Sequence, residues 1–196
     1  MKMKKIDNRR DILLLMLYSP GVGDAVNEPI VGRTRLVKML FLFKEEVLTY
    51  FRRGTEIDEK NFYEFFPWNF GPFSRQVYDD LTFFTLRGFI ETQDTSEDTL
   101  PESAAEWGEW LTSSKSDVAN EGVLDYNEQS FSLTSHGVKF TEELFGLLSG
   151  NQRKLLREFK RKLQEIPLRA ILKYVYENYP NQIVKSEIRE KVLGSC

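Results

Sequence analysis

One histidine, His136, and one cysteine, Cys196, bound the chemistry open to this chain of 196 residues. Together they cannot build a structural zinc site or a disulfide within the chain, and a Cys/His nucleophile pair is implausible. His136 follows a predicted strand end with no serine or cysteine partner in view, so a surface or capping role is expected of it. Carboxylates are plentiful, but they lie in one acidic stretch or on predicted helix surfaces. Nothing spaces two of them for glycosidase or two-metal chemistry. The run Ser19-Pro20-Gly21-Val22-Gly23-Asp24 contains glycines but lacks the Gly-Lys-Ser/Thr ending of a phosphate loop. The expectation is a protein that is not an enzyme and takes no cofactor and no metal.

Binding is the better prospect. Between 151 and 173 there are eight basic residues against Glu158 and Glu165. A helical wheel sets Arg153, Arg157, Lys160 and Arg161 opposite the Leu/Phe stripe, where they could track a phosphate backbone. The plainer meaning is the solvated outer face of an amphipathic helix. Arg33, Arg35 and Lys38 begin another predicted helix, where cations oppose the dipole. That mild local cost calls for a partner, either an anion or an internal carboxylate. Arg75 joins this set on the helix 74–87, the candidate recognition helix, but Asp79 and Asp80 on the same helix weaken base readout.

Eleven of the 26 aromatics fall within residues 61–90. The cluster around Trp68 and Phe73 could stack bases or anchor a partner, although aromatics more often fill cores. Trp107 and Trp110 stand in a polar, acidic stretch with little nearby to bury them, which makes them candidate anchors for a protein partner. That stretch, 91–129, holds eleven carboxylates and only Lys115. The net charge of −3 therefore splits into −10 there and +7 elsewhere. An acidic total does not argue against a polyanionic partner.

The elements that must position these residues are mostly helical. Ile12 to Leu17 reads as the buried stripe of a first helix, capped by Asp7 or Asn8 and stopped at Ser19-Pro20. The apolar run is too short for a signal peptide or a membrane span, so a cytoplasmic protein is the expectation. Leu36, Leu40, Phe43, Val47 and Tyr50 mark a central helix ending near Gly54. Phe70-Gly71-Pro72 is a turn, and Ser74 caps the helix carrying Val77, Leu81 and Phe84. Residues 89–92 and 130–134 pair as a small β-wing with the acidic insertion at its tip. Pro101 to Leu111 could add one short helix there. Three further helices, broken at Pro167 and Pro180, follow. The fold class is mainly α (α+β): a winged-helix-like domain over 1–148 and a C-terminal helical extension over 149–196.

The run Gly32-Arg33-Thr34-Arg35-Leu36-Val37-Lys38-Met39-Leu40-Phe41-Leu42 resembles the Lys/Leu-rich helix of the Panacea (SocA-like antitoxin) and YwgA-like prokaryotic proteins. Phe70-Gly71-Pro72-Phe73-Ser74 followed by Val77-Tyr78 and Leu81 resembles their aromatic-Gly-Pro turn and the helix after it. The resemblance covers residues 32–91, and it implies a small helical, winged-helix-like module that acts by binding, as an antitoxin or adaptor. The leading expectation is a non-enzymatic regulator or antitoxin-like factor that contacts duplex DNA through Arg153, Arg157, Lys160, Arg161, Arg33, Arg35, Lys38 and Arg75. The alternative is an adaptor that binds a toxin or other protein partner through its aromatic cluster and Trp107/Trp110. No membrane partner is expected, and a homodimer is open.

Overall fold

Helix α1 (Arg9–Tyr18) starts at Asn8, whose side chain accepts from the backbone N–H groups of Arg10 and Asp11 while Asp11 answers the Asn8 backbone. This reciprocal cap satisfies donors that have no partner inside a helix. All residues from Asp11 to Tyr18 are buried, so α1 is a core helix with no solvent face. These coordinates come from a computed structural model that describes residues 5–94, 129–186 and 188–193. The acidic stretch between 95 and 128, with its expected short helix and with Trp107 and Trp110, lies outside the described residues, as does Cys196.

After α1 come strand β1 (Ile30–Val31) and helix α2 (Arg33–Leu42), which runs through a π turn (Phe43–Val47) into α3 (Leu48–Phe51). Leu36 to Phe43 are buried without a break, as expected of a central helix. Tyr50 departs from the expected stripe and is 69% exposed. The physical cause is the π turn, where the Leu48 N–H reaches back to the Phe43 carbonyl. One extra residue in the turn rotates everything beyond it by about 100°. Leu48 and Phe51 therefore face inward and Tyr50 faces out.

Strands β2 (Phe66–Trp68) and β3 (Gly71–Phe73) form a hairpin, with Pro67 opposite Pro72. Helix α4 (Arg75–Leu86) follows, then β4 (Ile90–Asp94), β5 (Gln129–Leu133) and α5 (Ser135–Leu147). Ser74 holds the N-cap position of α4, but its hydroxyl makes no cap hydrogen bond. Strands β4 and β5 pair antiparallel, Ile90 facing Leu133, and β1 adds to the other edge of β5 to give the order β1-β5-β4. Asn27, at φ 61°, prolongs that edge by bonding both the N–H and the carbonyl of Leu133 through its side-chain amide, at 2.7 and 2.9 Å.

Helices α6 (Gly150–Glu165), α7 (Leu168–Asn178) and α8 (Arg189–Leu193) complete the chain. The stretch from 149 onward, set apart by sequence as an extension, supplies Leu156, Leu163, Ile171, Leu172 and Val175 to the same core as α1 and α2. The protein is mainly helical with a small antiparallel sheet.

Candidate functional site

The basic residues singled out by sequence divide by what their side chains touch. Lys160 is the clearest correction. Its side chain is fully buried, and its amine donates to the carbonyls of Leu17 (2.7 Å), Ser19 (2.7 Å) and Glu28 (2.9 Å). It stands four residues after Leu156 and three before Leu163, and those spacings share one helix face. Lys160 therefore belongs to the buried face, not to the outer face expected of it. Burial pushes its pKa down to about 7, against a smaller upward pull from Glu28.

Arg35 and Lys38 also work inside the fold. Arg35 donates to the carbonyls of Leu163 and Ile166, at the C-terminal end of α6. Lys38 is buried and donates to the Pro72 carbonyl at 2.8 Å, and burial lowers its pKa to about 7. Near the α2 N-terminus Arg35 and Lys38 thus meet backbone carbonyls. Arg153 repeats the pattern by capping the α5 end through the carbonyls of Phe145 (3.1 Å) and Gly146 (2.9 Å). Cations at the carbonyl ends of helices interact favourably with the dipole.

Arg157 and Arg161 stay on the surface, paired with Asp24 (2.6 Å) and Glu165 (2.8 Å). Lys154 and Lys162 are exposed beside them. Arg75 is exposed at the start of α4.

Helix α4 is less acidic outside than its sequence suggests. Asp80 is buried and receives Arg9 and Arg10, at 2.8 and 2.7 Å, which ties α4 to the start of α1. The outward side of α4 carries Arg75, Asp79, Thr82, Phe83 and Leu86, the last 82% exposed. Arg10 and Arg87 lie over the Phe83 ring at 4.5 and 5.6 Å. The aromatic cluster packs on itself: Phe73 touches Phe66, Trp68 and Tyr78 with ring centroids 5.0 to 6.2 Å apart. His136 is exposed against Phe89.

Between α4 and the β4–β5 pair lies an open cleft of about 220 Å³. Tyr78, Leu81 and Leu86 form its apolar side with Phe131, and Thr82, Thr85 and Thr92 add hydroxyls. Arg33 lines it as well. Its guanidinium lies 5.1 Å from the Tyr78 ring and 5.9 Å from the Phe131 ring, and it donates to Gln129 Oε1 at 2.9 Å. The Gln129 amide in turn donates to Asp94. Register explains the convergence: Thr92 pairs with Phe131 and Asp94 with Gln129, so these four share the sheet face toward α4.

Comparison with protein-family models, curated proteins and solved structures finds no match. The site must be read from its own geometry.

Among the described residues no group of three or more His, Cys, Asp or Glu is placed to hold a metal ion. No helix among them is long and apolar enough to cross a membrane. Of the basic residues expected to face a ligand, Arg33 lines this cleft, and Lys38 lines a smaller one of about 30 Å³ beside Trp68 and Phe73. Sequence reasoning missed Tyr78, Thr82, Thr85, Leu86, Thr92, Gln129 and Phe131 as companions of Arg33. The one signal was Arg33 itself, a cation where the helix dipole disfavours it.

Proposed function

We propose that this chain is a non-enzymatic binding protein, winged-helix-like in architecture, that recognises a protein partner along α4 and the β4–β5 pair. The element order α1-β1-α2-α3-β2-β3-α4-β4-β5 with sheet order β1-β5-β4 supports the architectural reading. The observation that carries the functional reading is the outer side of α4. Arg75 and Asp79 offset one another there, and Thr82, Phe83 and Leu86 are uncharged and exposed. A helix meant to read a DNA groove needs net positive charge and hydrogen-bonding side chains at those positions. An exposed Leu and Phe suit a protein surface better. An antitoxin-like or regulatory role, with a toxin or other protein as partner, fits this reading.

The test is affinity capture of the tagged chain from its native cells, beside a Phe83→Ser/Leu86→Asp variant. Wild type should retain a partner at near-stoichiometric yield, and the variant should lose it. Equal recovery by both would remove α4 from the interface.

A second reading, nucleic-acid binding through α6, rests on the exposed row Lys154, Arg157, Arg161 and Lys162. Duplex DNA retention at low salt should then fall steeply with added salt and with Arg157→Ala/Arg161→Ala. Equal, negligible retention of wild type and variant would end it.

A further inference from the structure

The cleft between α4 and the β4–β5 pair holds a cation, Arg33, that has no counter-ion among the described residues. Among the described residues Arg33 forms one side-chain hydrogen bond, to Gln129 Oε1, and no ion pair. A guanidinium has five N–H donors in a fixed fork, so most of them have no acceptor among the described residues. Asp94, on the same sheet face, accepts from the Gln129 amide. The rings of Tyr78 and Phe131 and the Gln129 carbonyl hold the guanidinium from three sides. A pre-oriented fork loses little freedom when it takes an oxyanion in bidentate fashion.

Tyr78, Leu81, Leu86 and Phe131 form the apolar side of the cleft, beside the hydroxyls of Thr82, Thr85 and Thr92. Its volume of about 220 Å³ falls below the ~300 Å³ from which pockets for free small ligands begin. That is room for one large side chain. Leu86, at 82% exposure, stands at its edge. Charge and shape together ask for an apolar side chain with a carboxylate next to it.

We propose that this cleft receives an acidic segment of a protein partner, seating one Phe- or Leu-sized side chain against Leu86 and Phe131 and one carboxylate on Arg33. The inference rests on the protein-binding reading above and names the partner's chemistry at that face. Thr82, Thr85 and Thr92 supply hydroxyls for the segment's backbone.

The experiment is an amide chemical-shift titration of the full chain with three synthetic decapeptides in a Gly/Ser background. The first carries one Phe flanked by two Glu. The second has both Glu replaced by Gln, and the third has Phe replaced by Ala. The Phe/Glu peptide should shift the amides of Thr82, Thr85 and Phe131. Its affinity should drop about tenfold on Glu-to-Gln replacement, the worth of one charge-assisted hydrogen bond. Arg33→Met keeps the stem between the rings and should bring the first two peptides to equal affinity. Leu86→Ser changes an exposed side chain without touching the core and should weaken both. Equal binding of the Glu and Gln peptides to wild type would overturn the acidic partner while leaving α4 as a protein-binding face. Stronger shifts at the same amides from a single-stranded oligonucleotide would overturn both and hand the cleft to nucleic acid. Loss of α4-dependent capture in cells would sink the underlying reading by a separate route.

Discussion

Residue identity alone did not say which lysines and arginines face water, and the difference is large in energy. Lys160 donates to three backbone carbonyls with its amine buried. Lys160→Ala leaves those acceptors unmet and opens a void, and should cost about 3 kcal/mol in urea unfolding. Arg161→Ala, on the exposed side of the same helix, should cost under about 0.5 kcal/mol. Equal small effects would mean that the Lys160 amine is not bonded as described. Lys38 yields a pH prediction. Burial holds its folded pKa at about 7, below its ordinary value of 10.5. Between those values the unfolded chain binds the proton and the folded chain does not, so stability rises with pH across that window. The slope has a ceiling of about 1.4 kcal/mol per pH unit for one group. Wild type should gain stability over Lys38→Met from pH 7 to 9, and parallel curves would place the amine in water. The spacing of Lys160 from Leu156 and Leu163 made its burial legible in the sequence. The Pro72 carbonyl that receives Lys38 was not, because it lies 34 residues away.

Elements were read well where their signal is local. The Asn8 cap, the buried run of α1, the central helix and the β4–β5 pairing all follow from capping residues and short-range periodicity. The π turn escaped, since no local residue pattern announces an inserted residue, and it carried Tyr50 from the expected core to the surface. Helix packing is likewise decided outside the element. At Gly137, in the first turn of α5, a Cβ would sit 2.1 Å from the Phe89 carbonyl oxygen. Backbone cannot yield as a flexible side chain does, so Gly137→Ala should cost about 2–3 kcal/mol. Gly146, near the other end of α5, has nothing within 4 Å of an added Cβ. Gly146→Ala should be neutral or stabilise by up to about 1 kcal/mol. Thermal melts of the two variants moving together would deny the close approach of α5 to Phe89.

Across the whole molecule, remote segments are joined by charges that the sequence lists but cannot pair. Asp80 joins α4 to Arg9 and Arg10 at the start of α1, some seventy residues away. Asp80→Ala removes the shared acceptor of two guanidiniums and should cost about 3 kcal/mol, with the chain opening first between α1 and α4. Hydrogen exchange at the α1 N-terminus would check it, and unchanged protection there would show that the clamp does not bind the two helices. The same pairing removes Asp80 from the outward side of α4, which changes that side from acidic to mixed. By itself the sequence determined the helical class, the Asn8 cap, the strand pair and the excess of positive charge outside residues 91–129, because each depends on composition or on neighbours a few positions apart. Only the tertiary structure decided which cations serve as internal caps for helix ends and that Arg33 lines the cleft beside α4. Those choices are made by backbone carbonyls and ring faces brought together from distant parts of the chain, and a carbonyl has no letter in the sequence.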